Sequence, residues 1–121
     1  MTIKAIAVDD EFPSNEVIKR YCSRIDYIDL AGTFTDESAA LLYLTTHPVD
    51  LIFLDIDMRG TSGIEFAKTI PKQTLVVFIS AYSEGDFKHD NLNAFAWLTK
   101  PVSLPRFTNV LNKVKAHFWL E

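Results

Sequence analysis

Leu51-Ile52-Phe53-Leu54-Asp55 is a run of four apolar residues closed by an acid. An unbroken apolar run of this length reads as a strand covered on both faces, the habit of a parallel sheet. The same pattern recurs on either side of it. Upstream, Ile3–Val8 runs into Asp9-Asp10-Glu11. Downstream, Leu75–Ile79 ends at Ser80, and Phe95–Leu98 leads to Lys100-Pro101. Ile28, Leu30, Gly32 and Phe34 instead alternate with Asp29, Ala31 and Thr33, as an edge strand would.

Helical patterns fill the gaps. Val17, Ile18, Tyr21, Cys22 and Ile25 recur at helical spacing, with Pro13 tolerated in the first turn. Asp36 begins a second helix through Leu44, closed before His47-Pro48. Ser62 and Glu65 have capping-box spacing for a short helix carrying Phe66, Ala67 and Ile70. A polar, weakly periodic fourth helix is expected over Glu84–Asn93. Phe107, Val110, Leu111, Val114 and Phe118 form the apolar stripe of a closing helix capped by Ser103. Strands alternating with helices imply an α/β fold, a doubly wound parallel sheet with helices on both faces.

At 121 residues the chain fits one domain, and nine Phe with 48% apolar residues suffice for a core. The longest apolar run is too short to span a bilayer, and no signal-peptide stretch opens the sequence, so a cytoplasmic location is expected. Twelve basic residues against sixteen acidic ones, scattered along the chain, argue against direct nucleic-acid contact by this segment. The single cysteine, Cys22, sits on an apolar stripe and reads as a small buried hydrophobe. His47, His89 and His117 lack ligand spacing and are expected at the surface.

In such sheets ligands bind at the carboxyl ends of the strands. There the sequence supplies Asp9, Asp10 and Glu11 after the first strand, Asp55 after the third, Ser80 after the fourth and Lys100 after the fifth. Any one alone would serve as a turn residue, a helix cap or a solvated charge. Four strand ends supplying two acids, an acid, a hydroxyl and an amine point to a site. Carboxylates converging on one crevice repel each other, and a hard divalent cation such as Mg²⁺ relieves that repulsion.

Val8-Asp9-Asp10-Glu11, Leu54-Asp55-Ile56-Asp57-Met58-Arg59-Gly60-Thr61-Ser62-Gly63, Ile79-Ser80-Ala81-Tyr82 and Trp97-Leu98-Thr99-Lys100-Pro101 together resemble the signature of the receiver domain of bacterial two-component response regulators. The resemblance covers essentially the whole chain and implies a flavodoxin-like, CheY-like sheet of five strands in the order 2-1-3-4-5. It also implies that Asp55, as an exposed carboxylate, accepts a phosphoryl group from a sensor histidine kinase or phosphotransfer protein. Mg²⁺ would be held by Asp10 and Asp55 through side chains, by Asp57 through its carbonyl, and by Asp9 through water. Ser80 and Lys100 would bind the phosphoryl oxygens, and a cis peptide would join Lys100 to Pro101. Ser80 and an aromatic residue on the last strand form the family's switch. Here that residue is Trp97, where Tyr or Phe is usual. Asp57 and Tyr82 would set the lifetime of the phosphoryl group. Arg59 departs from the usual Pro of its loop.

The output is expected to be transcriptional, since the Leu51–Met58 and Ser80–Ser83 stretches resemble receivers attached to LytTR-type DNA-binding domains. Residues 1–119 would be the receiver, and Leu120-Glu121 a tail left by expression. The face made by the fourth helix, fifth strand and fifth helix is the homodimer surface that the family implies. Asp55-x-Asp57 also resembles the nucleophile motif of haloacid dehalogenase-type phosphatases. That family places it after the first strand, with Thr or Val where this chain has Arg59. A receiver-like binding module that is never phosphorylated usually lacks an acid, the acceptor or the Lys, and all are present here.

Overall fold

The apolar runs fold as strands, and the sheet they build orders the rest of the chain. The computed structural model describes residues 2–58, 61–82 and 94–119. In chain order the elements are β1 (Ile3–Val8), α1 (Phe12–Cys22), β2 (Ile28–Phe34), α2 (Glu37–Thr46), β3 (Leu51–Asp55), β4 (Asp57–Met58), β5 (Thr61–Ser62), α3 (Gly63–Ala67), β6 (Leu75–Ser80), β7 (Ala96–Thr99) and α4 (Leu104–Trp119). Five strands form one sheet in the order β2-β1-β3-β6-β7, every neighbouring pair parallel. With the small β4–β5 hairpin set aside, this is the order 2-1-3-4-5. β2 lies at the edge, as its alternating sequence requires.

Pleating sorts the apolar side chains into two layers. Ile3, Ala5, Ala7, Leu51, Phe53, Val77, Ile79 and Leu98 pack with Ile18 and Cys22 of α1 and Phe107, Val110, Leu111 and Val114 of α4. Ile6, Val8, Ile52, Leu54, Val76 and Phe78 point the other way, onto Ala40 of α2 and Phe66 of α3. Both faces of the sheet are therefore covered, which is why its central strands carry no polar alternation.

Local chemistry sets the helix ends. Asp36 caps α2 through a 2.8 Å bond from the Ala39 N–H, and Ser103 accepts from the Arg106 N–H at the start of α4. Pro13 lies in the first turn of α1. Helical spacing in the sequence reaches Ile25, but α1 ends at Cys22, and Ile25 packs against the core from the turn that follows. Likewise α3 stops at Ala67, and buried Ile70 lies beyond it. The β4–β5 hairpin is a feature the sequence pattern did not suggest. The expected helix over Glu84–Asn93, one of the three elements of the expected dimer face, and residues 120–121 lie outside the described residues.

At the amino-terminal edge of the sheet, Asp50 joins three strands. Its N–H donates to the Lys4 carbonyl at 2.8 Å, its Oδ2 accepts from the Lys4 N–H at 2.9 Å, and its carbonyl accepts from the Leu75 N–H at 2.9 Å. Among the described residues no helix is long and apolar enough to cross a membrane.

Candidate functional site

Pleat parity decides which strand-end side chains meet. Ala5 and Ala7 face the α1/α4 layer, so Asp9, next in that alternation, follows them. Leu51 and Phe53 put Asp55 on the same side, and Leu98 does the same for Lys100. The three side chains converge: Lys100 Nζ lies 3.0 Å from Asp9 Oδ2 and 3.6 Å from Asp55 Oδ1. Glu11 reaches Lys100 at 3.7 Å from an exposed position at the start of α1. Asp10 joins the acids, since Asp9, Asp10 and Asp55 each bring a carboxylate oxygen within 4.8 Å of the others.

Asp55 is not the exposed carboxylate expected of it. It is only 3% exposed and Asp9 5%, because both continue buried strands and Lys100 lies against them. The lysine is itself partly buried, with its side chain 22% exposed. Burial alone would lower its pKa. The hydrogen bond to Asp9 and the charges of Asp55, Asp9 and Glu11 outweigh that and raise it above the ordinary lysine value. The ammonium therefore stays charged across the physiological range.

Ser80 falls on the opposite parity, with Val76 and Phe78. It is fully buried, and its Oγ accepts the Tyr82 N–H at 3.0 Å. The Trp97 indole N–H donates to the Tyr82 carbonyl at 3.1 Å, while its ring packs 5.7 Å from that of Phe78. Trp97 is thus half-buried and tied to the loop that follows Ser80. The Lys100 N–H donates to the Ser80 carbonyl at 2.7 Å, which joins the two halves of the site through the backbone. The Lys100–Pro101 peptide is cis.

Asp57 lies in the hairpin, its backbone opposite Ser62. Its side chain, and Arg59 altogether, lie outside the described residues. Tyr82 is exposed, as is His47, stacked on Tyr43; His117 is exposed too, and His89 lies outside the described residues. Cys22 is buried as expected, and burial pushes its thiol up to about 12.

Three residues near the site had no role there assigned from the sequence. Asn15 is 1% exposed, and its Nδ2 donates to the carbonyls of Asp9 at 3.1 Å and Phe34 at 3.0 Å. It lies on the stripe of Ile18 and Cys22, and a polar residue on a buried stripe was the available signal. Tyr21 OH donates to the Val102 carbonyl at 2.8 Å and so ties α1 to the segment after Lys100. Gly63 passes so close to the acceptor strand that a Cβ there would overlap the Asp55 carbonyl and lie 2.8 Å from Ile56 Cα. A cavity of about 520 Å³ opens between α1 and Lys100–Val102, floored by Ala7, Phe53 and Ile79.

An acid cluster with one lysine, at the carboxyl edge of a doubly wound sheet ordered 2-1-3-4-5, defines a class of α/β receiver. The sequence matches the response regulator receiver domain over residues 5–112, and the chain belongs to that family. It is 32% identical over 117 residues to the transcriptional regulatory protein YpdB of Escherichia coli K12, covering 94% of this chain and 48% of that protein. It is 36% identical over 115 residues to the transcriptional regulatory protein MalR of Bacillus subtilis, covering 91% and 49%. The chain spans about half the length of these curated relatives. Among solved structures, the response regulatory domain of protein MrkE from Klebsiella pneumoniae superposes with a TM-score of 0.86 at 28% identity, covering 98% of this chain and all of that one.

Proposed function

We propose that this receiver is a Mg²⁺-dependent switch that takes a phosphoryl group on Asp55 from a histidine kinase or phosphotransfer protein. The observation that carries the reading is Lys100 held between Asp9 and Asp55, inside a cluster of three carboxylates. Oxygen donors of this kind fit a hard divalent ion, which commonly keeps waters and also binds phosphoryl oxygens. Asp10 and Asp55 would hold it by side chain, Asp57 by its carbonyl and Asp9 through water. When bound, the ion supplies positive charge against the phosphoryl oxygens.

The chain's own residues do the rest. An Asp55 carboxylate oxygen attacks phosphorus; the O–P bond forms as the P–N bond of the phosphohistidine breaks, and the departing imidazole nitrogen keeps the electron pair. The Lys100 ammonium neutralises charge on the equatorial oxygens. Ser80 accepts from Tyr82, so its own proton is available to bond a phosphoryl oxygen. Turning that hydroxyl pulls on the Tyr82 N–H, while Trp97 holds the Tyr82 carbonyl on the next peptide, and this link through the Tyr82 backbone is the proposed switch. Asp57 and Tyr82 flank the acceptor and set how long the phosphoryl group survives.

Mass spectrometry of the intact protein after incubation with acetyl phosphate and Mg²⁺ tests the reading. One added phosphoryl unit, absent in Asp55→Asn, is expected; no adduct would favour a passive binding module. The phosphatase alternative would need repeated turnover of phosphate monoesters. Its motif belongs after the first strand, whereas Asp55 ends β3. Transcriptional output, through a LytTR-type or other DNA-binding domain, is supported by the relatives' names. A cytoplasmic location, a receiver spanning residues 1–119, and DNA contact made outside this acidic segment belong to the same proposal.

A further inference from the structure

We infer that Asn15 is the positioning residue for the acid pair, because its buried amide fixes the peptide that joins Asp9 to Asp10. This rests on the proposed cation site and adds a residue to it. Every polar group of Asp9 is engaged. Its N–H donates to the Phe34 carbonyl at 3.0 Å, its Oδ1 accepts from the Glu11 N–H at 2.9 Å, and its Oδ2 meets Lys100 at 3.0 Å. Its carbonyl is held by Asn15 Nδ2 at 3.1 Å. That carbonyl belongs to the peptide plane leading into Asp10, and rotating the plane would carry the Asp10 carboxylate away from those of Asp9 and Asp55. Asn15 Nδ2 also grips the Phe34 carbonyl at 3.0 Å, so the turn after β1 is referenced to the end of the edge strand.

The amide orientation is not arbitrary. Turned over, it would set Oδ1 against two carbonyl oxygens, so the nitrogen must face them. Oδ1 then has no hydrogen-bond partner, although it is buried. Leu, of similar size, would remove that penalty while giving up both donated bonds, and the neighbouring cavity can take its shape. Stability and acid placement therefore respond separately at this position.

The test is Mn²⁺ binding to the unphosphorylated chain, followed by calorimetry and by the loss of free-ion paramagnetic signal. Asn15→Leu is expected to raise the Mn²⁺ dissociation constant roughly tenfold, in line with the loss of a group that orients a ligand. Ile18→Val, one turn on and equally buried, should leave it unchanged. Asn15→Ala, which adds no bulk, is read in the same way should the Leu variant fold poorly. Wild-type affinity in a folded Asn15 variant, or equal weakening by Ile18→Val, would overturn the inference. A wild-type chain with no saturable binding sensitive to Asp10→Asn would overturn the cation site itself, and the positioning role with it.

Discussion

The two sides of one sheet edge are built from different materials. On the α1/α4 side, the recessed acids Asp9 and Asp55 face Lys100, whose ammonium lies 3.0 and 3.6 Å from them. On the other side, Ser80, Tyr82 and Trp97 are joined by neutral hydrogen bonds of 3.0 and 3.1 Å that meet on the backbone N–H and carbonyl of Tyr82. A one-residue step along a strand separates the two sets, because the pleat alternates. The ion pairs are thus kept apart from the neutral groups proposed to move. Ion pairs in a recessed, low-dielectric site resist displacement, whereas neutral bonds to a loop backbone are worth about 1 kcal/mol each and can be exchanged.

The contrast can be broken in several places. The largest effect concerns the layer beneath the charged side, which must be dry. Cys22 reports on it, since its thiol is raised from 9.0 to about 12. Below pH 9 both the folded and unfolded chains keep the proton. Above it the unfolded chain ionises first, so stability falls until the folded thiol also titrates. Up to pH 11, two units above the unfolded value, the loss comes to about 2.7 kcal/mol. Urea unfolding at pH 8 and pH 11 in reductant should show this loss, and Cys22→Ala should show correspondingly less. Equal slopes would mean a wet layer.

Next comes Lys100. Lys100→Met should slow acquisition of the phosphoryl group from acetyl phosphate roughly 100-fold, while Ser80→Ala slows it much less. Equal slowing by the two would erase the division of labour. Because its pKa is raised, the lysine's contribution to stability is complete at neutral pH and is lost only as pH rises past the ordinary 10.5.

The smallest effect is on the neutral side. Trp97→Phe removes one donor and should lower unfolding stability by about 1 kcal/mol, measured by urea midpoint. In a Trp119→Phe background, Trp97 emission should change when a phosphoryl mimic is added with Mg²⁺. Unchanged emission would mean that the indole stays on Tyr82.

Much of this was legible in the residues themselves. Runs such as Leu51–Leu54 announce strands covered on both faces, and the acids, the hydroxyl and the lysine sit at strand ends where their types can be read directly. Even the grouping of Lys100 with Asp9 and Asp55 follows from counting in twos from Leu98, Ala7 and Phe53. Asn15 and Tyr21 were not legible as site residues, because they act on the carbonyls of Asp9, Phe34 and Val102, and carbonyl positions exist only once the chain is folded. The depth of Asp55 was hidden for a similar reason: a residue's recess depends on what lies over it, here Lys100. The β4–β5 hairpin pairs only four residues, too few for any period to emerge.

Asp50, at the far edge of the sheet, gives the molecule a fixed end. By stitching Lys4 and Leu75 to itself, it makes β1, β3 and β6 behave as planks of a cantilever, clamped at one end and loaded at the other. The proposed phosphoryl site lies at the opposite, carboxyl edge, on strand ends that this stitch does not reach. On the proposed function, the stroke of the switch belongs to those tips and the loops they carry, with the stitched edge as its anchor.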